Sequence, residues 1–223
     1  MIPLRDIIPS RTRPVVTVSL LVLNAAVFAV EAGLGDNDLE RFVRTWGLIP
    51  AHFSWSAVVT SMFVHGGFLH FAGNMLYLWI FGDNVEDRMG HGRFLAFYLL
   101  CGAGAALAQT VVSADSLLPM VGASGAIAGV MGAYFVLYPR SRVLTLFPFP
   151  LMLFELPAVY LLGLWFVMQF VNGLGSLSLA AEGDLAGGVA FWAHIAGFAV
   201  GAVLVLLLRR PERQQVEWWD QQI

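Results

Sequence analysis

HGGFLHFAGNM, residues 65–75, is an apolar segment interrupted by two histidines and an asparagine. Polar side chains at membrane depth are costly to bury, so they usually pair with one another or serve a function. His70 and Asn74 are four residues apart, which places them on one face of a helix. His65 precedes His70 by five residues, about 140° around an ideal helix, so it belongs to the helix entrance. The segment therefore predicts a membrane helix with a functional polar face.

The composition indicates a membrane protein. Of the 223 residues, 58% are hydrophobic and 12% are charged, and the mean hydropathy is +0.75. These values are too apolar for a soluble domain of ordinary composition. The net charge of −3 gives no reason to expect a nucleic acid as partner. The single cysteine, Cys101, cannot form an internal disulfide.

Six apolar segments are candidates to cross a bilayer, which takes about 20 residues. They are Val15–Leu34, Gly67–Phe81, Phe94–Val112, Ser124–Tyr138, Leu153–Leu174 and Gly187–Leu208. The fourth is short, so its first residue would lie below the membrane surface. We predict an all-α polytopic membrane protein with a six-helix bundle over residues 15–208. A short N-terminal segment (residues 1–14) and a C-terminal tail (residues 209–223) flank the bundle.

The arginines indicate how the helices are oriented. With six spans both termini lie on one side of the membrane, and ten of the twelve arginines fall on that side. Only Arg41 and Arg44 fall on the other side. Because cytoplasmic loops carry an excess of Lys and Arg, we expect both termini in the cytoplasm, in a bacterial plasma (inner) membrane. This orientation places the polar residues of spans two, four and six at a similar depth in the outer half of the membrane.

Ser124 and His194 form the best-placed pair for nucleophilic catalysis. A serine is a weak nucleophile until a base takes its proton, and histidine titrates near neutrality. Both lie among small residues, in GASGA and AHIAGFAVG, and Gly197 and Gly201 share a helical face with His194. Small residues at this spacing mark close helix packing in membranes. We therefore expect spans four and six to contact each other along these small residues.

Acyl transfer also needs hydrogen-bond donors for the developing oxyanion. Ser124 would sit at a helix N-terminus, where backbone N–H groups are free to donate. His70 and Asn74 would add side-chain donors from the second span. No acidic residue lies in the sixth span, so a Ser–His dyad fits better than a Ser–His–Asp triad.

Each of these signals also has a purely structural interpretation. A serine before a small-residue helix is usually a cap, and a single membrane histidine usually packs and hydrogen-bonds. GASGA differs from the nucleophile elbow of soluble hydrolases because Ala126 stands where glycine is needed and no strand precedes it. A metal site of His65, His70 and His194 lacks the H-E-x-x-H pattern and a nearby carboxylate. A protein that binds membrane clients without cleaving them is the other alternative. We expect no metal and no cofactor.

Four motifs follow one another along this six-span frame. They are H-x4-H-x3-N at His65, His70 and Asn74, E-D-R-x-G at Glu86–Gly90, G-x-S-G at Gly122–Gly125, and A-H-x-x-G-x-x-x-G at Ala193–Gly201. In this combination the sequence resembles the rhomboid family of intramembrane serine proteases. The resemblance implies Ser124 as nucleophile and His194 as base. It also implies that His70 and Asn74 help the oxyanion site and that His65 shapes the loop-to-helix junction.

The resemblance further concerns the substrates and the orientation of His194. It implies hydrolysis of peptide bonds in or near transmembrane segments, so the expected partners are other membrane proteins and the lipid bilayer. Some family members carry a tyrosine one turn after the serine, against the histidine ring, where this chain has Ala128. Tyr134, six residues further on, falls on the wrong face. What holds His194 in orientation is left open.

Charged and aromatic residues outside these motifs have structural interpretations. Glu86 and Arg88 are expected to form an ion pair or a cap in a cytoplasmic turn, away from the proposed chemistry. Glu155 is expected near the cytoplasmic interface. Trp218 and Trp219 would suit an interfacial anchor after the last span.

Overall fold

The computed structural model describes residues 1–181 and 190–211. Within these residues, three β-strands and eight α-helices follow one another along the chain. The strands are β1 (Ile2–Asp6), β2 (Arg142–Pro148) and β3 (Leu151–Pro157). The helices are α1 (Val15–Ala32), α2 (Asp36–Trp46), α3 (Trp55–Thr60), α4 (Phe68–Met89), α5 (His91–Val112), α6 (Ser124–Leu137), α7 (Ala158–Ala181) and α8 (Phe191–Leu208). The anchor expected at Trp218 and Trp219 lies outside the described residues.

Four of the described helices are long and apolar enough to cross a membrane, namely α1, α5, α7 over Ala158–Leu177, and α8. Helix α6 is apolar but has only 14 residues, and α4 carries charged residues in its last two turns. The protein is therefore a multi-pass membrane protein, and the mostly helical fold class is confirmed. The count of six spans stays a prediction, as does the domain division around residues 15–208.

Helix α6 lies at the centre of the bundle. All ten residues from Gly125 to Tyr134 are buried, which is typical of a helix that is apolar on every side. A Cβ on Gly132 would overlap the carbonyl group of Phe198 in α8, and a Cβ on Gly201 would overlap the backbone of Gly129. The close contact expected between spans four and six is thus confirmed.

Helix α4 is longer than the second span predicted from the sequence. That prediction ends the span at Phe81 and places a charged turn after it, whereas the helix continues to Met89. Gly90 ends the helix with φ at 80°, a conformation that favours glycine. The predicted boundary is wrong because the charged residues remain helical and bind the N-terminal segment of the chain.

Glu86 is the clearest example of this binding. Its carboxylate accepts the backbone N–H groups of Val16 and Thr17 at 2.9 and 2.8 Å, and the Thr17 hydroxyl at 2.7 Å. The first N–H groups of a helix have no intrahelical acceptor, so Glu86 satisfies the start of α1. The cap expected of Glu86 is confirmed, although Glu86 lies within a helix and caps a different one.

The apolar segments of the sequence predict helices and no sheet, yet β1, β2 and β3 form a three-stranded antiparallel sheet in that order. The predicted fifth span, Leu153–Leu174, is wrong at its start, because Leu153–Pro157 belong to β3 and α7 begins at Ala158. A short apolar run does not distinguish a strand from the start of a helix. Glu155 of β3 lies beside Arg142 of β2 at 3.4 Å, where both side chains are exposed.

The segment before α1 and the segment after α8 lie at the same end of the helical bundle. The carboxylate of Asp87 accepts the N–H groups of Arg11 and Thr12 at 2.6 and 3.0 Å. The N–H of Arg210 donates to the carbonyl of Arg88 at 2.8 Å. The segments before α1 and after α8 are therefore both held by the last turn of α4.

At the opposite end of the molecule, the segment between α1 and α4 contacts the loop before α6. It contains the amphipathic helix α2, and after that helix Leu48 pairs with Met120 through two backbone hydrogen bonds of 3.0 and 2.8 Å. Met120 lies four residues before Ser124. The segment thus fixes the loop that leads into α6.

Candidate active site

Ser124 and His194 lie side by side at one end of the contact between α6 and α8. Ser124 is the first residue of α6, and His194 is in the first turn of α8. The distance between Ser124 Oγ and His194 Nε2 is 2.8 Å, which is within hydrogen-bonding range. His194 is buried, with 8% of its surface exposed. The structure therefore brings the serine and histidine into the geometry that a nucleophile and its base require.

Glycines allow the two helices to come this close. A Cβ on Gly197 would overlap the carbonyl oxygen of Gly125, and a Cβ on Gly125 would lie 2.6 Å from the Cβ of Ala105 in α5. Side-chain carbon atoms essentially never approach other atoms so closely. Gly197 thus allows the close approach of α8 to α6, and Gly125 allows the close approach of α5 to α6.

Gly122 shapes the loop that precedes the serine. Its φ of 120° favours glycine, and a Cβ there would lie 2.6 Å from the Cε1 atom of His70. Its N–H donates to the carbonyl of Ser61 at 2.8 Å. His70 therefore lies directly over the loop that carries Ser124.

Asn74 provides a buried donor next to this loop. The side chain is 7% exposed, and its Nδ2 has no hydrogen-bond acceptor among the described residues. The same atom would lie 3.6 Å from a Cβ placed on Gly122. A buried N–H without an acceptor costs about 1–3 kcal/mol, so this group is available to a bound oxygen atom.

His65 lies at the junction between the loop and α4, away from Ser124. Its backbone N–H donates to both carboxylate oxygens of the buried Glu31 at 3.1 and 3.2 Å. Its ring packs edge-on against Phe71 and His70, with centroid distances of 5.4 Å in each case. These contacts tie the end of α1 to the start of the helix that carries His70.

Gln169 of α7 contacts His194, a contact that was not predicted from the sequence. Its Oε1 lies 2.9 Å from His194 Nδ1, on the side of the ring opposite Ser124. Trp165, one turn earlier on α7, lies against the same ring with a centroid distance of 5.8 Å. A polar amide in an apolar span is a signal for function. The residue that it faces depends, however, on how α7 packs on α8, which the sequence does not contain.

A small cavity lies beside Ser124. It measures about 20 Å³, room for roughly one water molecule, and is lined by Ser61, Met62, Ala105 and Gly122, among others. Within the part of the chain that the structure describes, no group of three or more His, Cys, Asp or Glu side chains could hold a metal ion.

Most of this chain matches the model of a known protein family. Residues 52–211 match the family model described as the Rhomboid domain, about seven tenths of the chain. The chain belongs to the rhomboid family. Helices α6, α7 and α8, which carry Ser124, Gln169 and His194, all fall within the matched region.

Several curated rhomboids are similar to this chain. The mitochondrial Rhomboid protein 1 of Saccharomyces cerevisiae is 32% identical over 139 residues, which cover 59% of this chain and 39% of the yeast protein. The Rhomboid protease GluP of Bacillus subtilis is 33% identical over 134 residues, or 58% of this chain and 26% of GluP. The Rhomboid protease AarA of Providencia stuartii is 28% identical over 207 residues, or 84% of this chain and 70% of AarA. The chain thus matches well under half the length of the first two.

In this rhomboid neither Ala128 nor Tyr134 orients the histidine. Ala128 is fully buried in α6. The Tyr134 hydroxyl donates to Asp6 at 2.7 Å and lies 3.0 Å from the Ser141 hydroxyl, near the sheet. The expectation that Tyr134 falls on the wrong face is confirmed.

Proposed function

We propose that this rhomboid is an intramembrane serine endopeptidase with a Ser124–His194 dyad. The observation that carries the proposal is the 2.8 Å contact between Ser124 Oγ and His194 Nε2. In the described residues a carboxylate does not complete a triad, since the other ring nitrogen of His194 contacts the amide of Gln169. A neutral third group is compatible with this chemistry, as in the Cys–His–Asn proteases.

The dyad performs acylation in two proton transfers. His194 Nε2 takes the hydroxyl proton of Ser124 as Oγ attacks the scissile carbonyl carbon, which produces an oxyanion and an imidazolium. The imidazolium then gives its proton to the amide nitrogen as the C–N bond breaks. The segment after the scissile bond leaves as an amine, and the segment before it remains as an ester on Ser124.

Deacylation repeats the sequence with water. His194 takes a proton from a water molecule as the water oxygen attacks the ester carbonyl. The imidazolium then returns this proton to Ser124 Oγ as the ester C–O bond breaks, which releases a carboxylic acid and free Ser124. The small cavity beside Ser124 offers a place for that water.

The oxyanion forms where donors converge. The first N–H groups of α6 have no intrahelical acceptor and point toward the helix start, where Ser124 lies. Asn74 Nδ2 is a buried donor on the other side of the Gly122 loop, and the His70 ring lies against that loop. These groups would stabilise the negative charge at the moment when it develops.

The proposed substrates are other membrane proteins, cleaved in or near a transmembrane segment. Ser124 begins a 14-residue helix inside a bundle of longer apolar helices, so it lies below the membrane surface. A substrate helix must unwind locally to expose its scissile bond, which favours small or helix-breaking residues there.

The proposed orientation has both termini in the cytoplasm of a bacterium, with the protein in the plasma (inner) membrane. The bias of arginines toward one side supports it. The contacts of Asp87 and Arg88 with the segments flanking α1 and α8 agree with both termini lying at one end.

A reconstituted cleavage assay tests the proposed function. The purified protein is incorporated into liposomes with a single-span reporter, and products are mapped by mass spectrometry. Wild type should cleave the reporter in or near its membrane segment. Ser124→Ala and His194→Ala should each lower turnover by several orders of magnitude, and the double variant no further, because the two side chains act as one unit. Substantial cleavage by Ser124→Ala would refute the assignment.

A further inference from the structure

We propose that Gln169 is the positioning residue for His194, the role that Ala128 leaves vacant in this chain. The inference rests on the proposed function, because it concerns how the base is held. It is carried by the 2.9 Å distance between Gln169 Oε1 and His194 Nδ1, on the far side of the ring from Ser124. The three side chains form a continuous line from α7 through α8 to α6.

The amide oxygen selects the tautomer that catalysis needs. An acceptor at Nδ1 requires the ring proton to be on Nδ1, which leaves the lone pair of Nε2 facing the Ser124 hydroxyl. The same contact strengthens when His194 becomes an imidazolium, because a charged donor makes a stronger hydrogen bond. Gln169 therefore stabilises both the resting tautomer and the charged intermediate.

An amide suits this position better than a carboxylate would. A carboxylate in an apolar bundle carries a large desolvation cost, whereas an amide supplies an acceptor without a net charge. Among the described residues, His70 of α4 is the titratable side chain whose charge acts on His194. Gln109 of α5 lies nearby but accepts the backbone N–H of Ala193 at 3.2 Å, so it holds the start of α8 and not the ring.

The face of α7 that carries Gln169 holds the ring from two directions. Trp165 is four residues earlier, on the same helical face, and lies against the imidazole plane with an interplanar angle of 38°. Gln169 fixes rotation of the ring through Nδ1, and Trp165 restricts its tilt. Together they hold Nε2 toward Ser124.

Three variants test the role. Gln169→Leu removes the acceptor at similar volume, Gln169→Glu keeps an acceptor at the same length, and Asn172→Leu is the matched control. Asn172 is an exposed amide on the next turn of α7, and the hydrogen bonds of the His194 ring go to Gln169 and Ser124. The readouts are kcat, KM and the pH dependence of kcat with a single-span reporter. Nitrogen NMR of wild type with labelled histidine reports the His194 tautomer without any need for turnover.

Gln169→Leu should lower kcat about 10- to 100-fold with KM unchanged, because losing the positioning residue removes only part of the roughly 10²–10⁴-fold that general-base catalysis contributes. The acid limb of its pH profile should move to lower pH, because the imidazolium has lost an acceptor. Gln169→Glu should keep most of the wild-type rate, because its carboxyl oxygen still accepts from Nδ1, and its desolvation cost should lower the stability of the fold and not kcat. Asn172→Leu should match wild type. Wild-type His194 should carry its proton on Nδ1.

Three results would overturn the proposal. One is wild-type kcat and pH profile in Gln169→Leu. Another is an equal loss of kcat in the Leu and Glu variants with the acid limb in place, which indicates packing alone. The third is a resting His194 protonated on Nε2, and this result does not depend on whether the variants fold. An inactive wild type would instead refute the proposed function, so the two failures are distinguishable.

Discussion

Gly197 of α8 lies directly against the carbonyl group of Gly125, the residue that follows Ser124. A Cβ at position 197 would overlap that oxygen and lie 3.0 Å from its carbonyl carbon. Since His194 is three residues before Gly197, this one backbone contact bears on both the spacing of the two helices and the distance between His194 and Ser124. The contact between α6 and α8 and the proposed dyad are therefore parts of one arrangement.

Substitution of Gly197 by leucine should separate α6 from α8 and so displace His194 from Ser124, although neither of these two residues is itself substituted. Packed interfaces have few voids to absorb added methylenes, and a misplacement of about 1 Å can cost about 10²-fold in rate. Gly197→Leu should insert normally and cleave about a hundredfold more slowly. Val203→Leu adds a methylene on the exposed side of α8 and is the control. Wild-type cleavage by Gly197→Leu would show that this contact does not set the geometry.

Removal of the Asn74 amide should slow the chemical step. Asn74→Ala should lower kcat by about 10²–10³-fold, because one oxyanion donor is worth about 2.7–4 kcal/mol. The effect should fall on kcat and not on KM, since the charge exists only in the transition state. His70→Ala provides the companion measurement. Unchanged rates in both variants would exclude the two side chains from the oxyanion site.

The stability of the protein should depend on the ionisation of Asp6. Its carboxylate accepts hydrogen bonds from Tyr134 at 2.7 Å and from Asn84 at 2.9 Å. Burial, together with the negative charge of Asp83, raises the pKa of Asp6 from 3.8 to about 7, although the Tyr134 hydrogen bond opposes the shift. The folded state therefore binds the Asp6 proton more tightly than the unfolded state does, so the contribution of Asp6 to stability is full below about pH 4 and is lost as the pH rises to about 7.

Thermal unfolding in detergent at pH 5 and pH 8 measures this effect. Wild type should lose several degrees in Tm between the two values as Asp6 ionises. Asp6→Asn cannot ionise and should remove most of that difference. Asp36→Asn, on the exposed first turn of α2, is the control and should behave as wild type does. A wild-type pH dependence in Asp6→Asn would assign the effect to another group.

Cysteine labelling tests the orientation. The natural Cys101 is buried, so an introduced cysteine dominates the reaction with a membrane-impermeant maleimide. Leu117, in the loop before α6, is 60% exposed, and Phe149, in the turn between β2 and β3, is 94% exposed. Leu117→Cys should react on intact cells and Phe149→Cys only after permeabilisation. The reverse pattern would overturn the proposed orientation.

Much of this architecture could be predicted from the sequence, because the membrane restricts it. The apolar segments predict the helices. The small residues of α6 and α8 predict the contact between these two helices, because small side chains let membrane helices approach each other. His194 and Ser124 are recognisable because polar groups at membrane depth are rare and costly. Each of these features is local, because it depends on only a few consecutive residues.

The missed features depend on contacts between distant parts of the chain. The sheet joins β1 to β2 across more than a hundred residues, and an apolar strand has the same composition as the start of a helix. The last turns of α4 stay helical because Glu86 and Asp87 bind a segment some seventy residues earlier. Gln169 contacts His194 only because of how α7 lies on α8. Residue patterns do not encode such pairings.

A fluorophosphonate probe measures directly whether His194 activates Ser124. Wild type, Ser124→Ala and His194→Ala are each incubated with the probe, and the modified residue is identified by peptide mass spectrometry. Ser124 should be modified in wild type, no modification should occur in Ser124→Ala, and labelling should be slower by orders of magnitude in folded His194→Ala. Modification of a different residue, or an unchanged labelling rate in His194→Ala, would contradict the activation of Ser124 by His194.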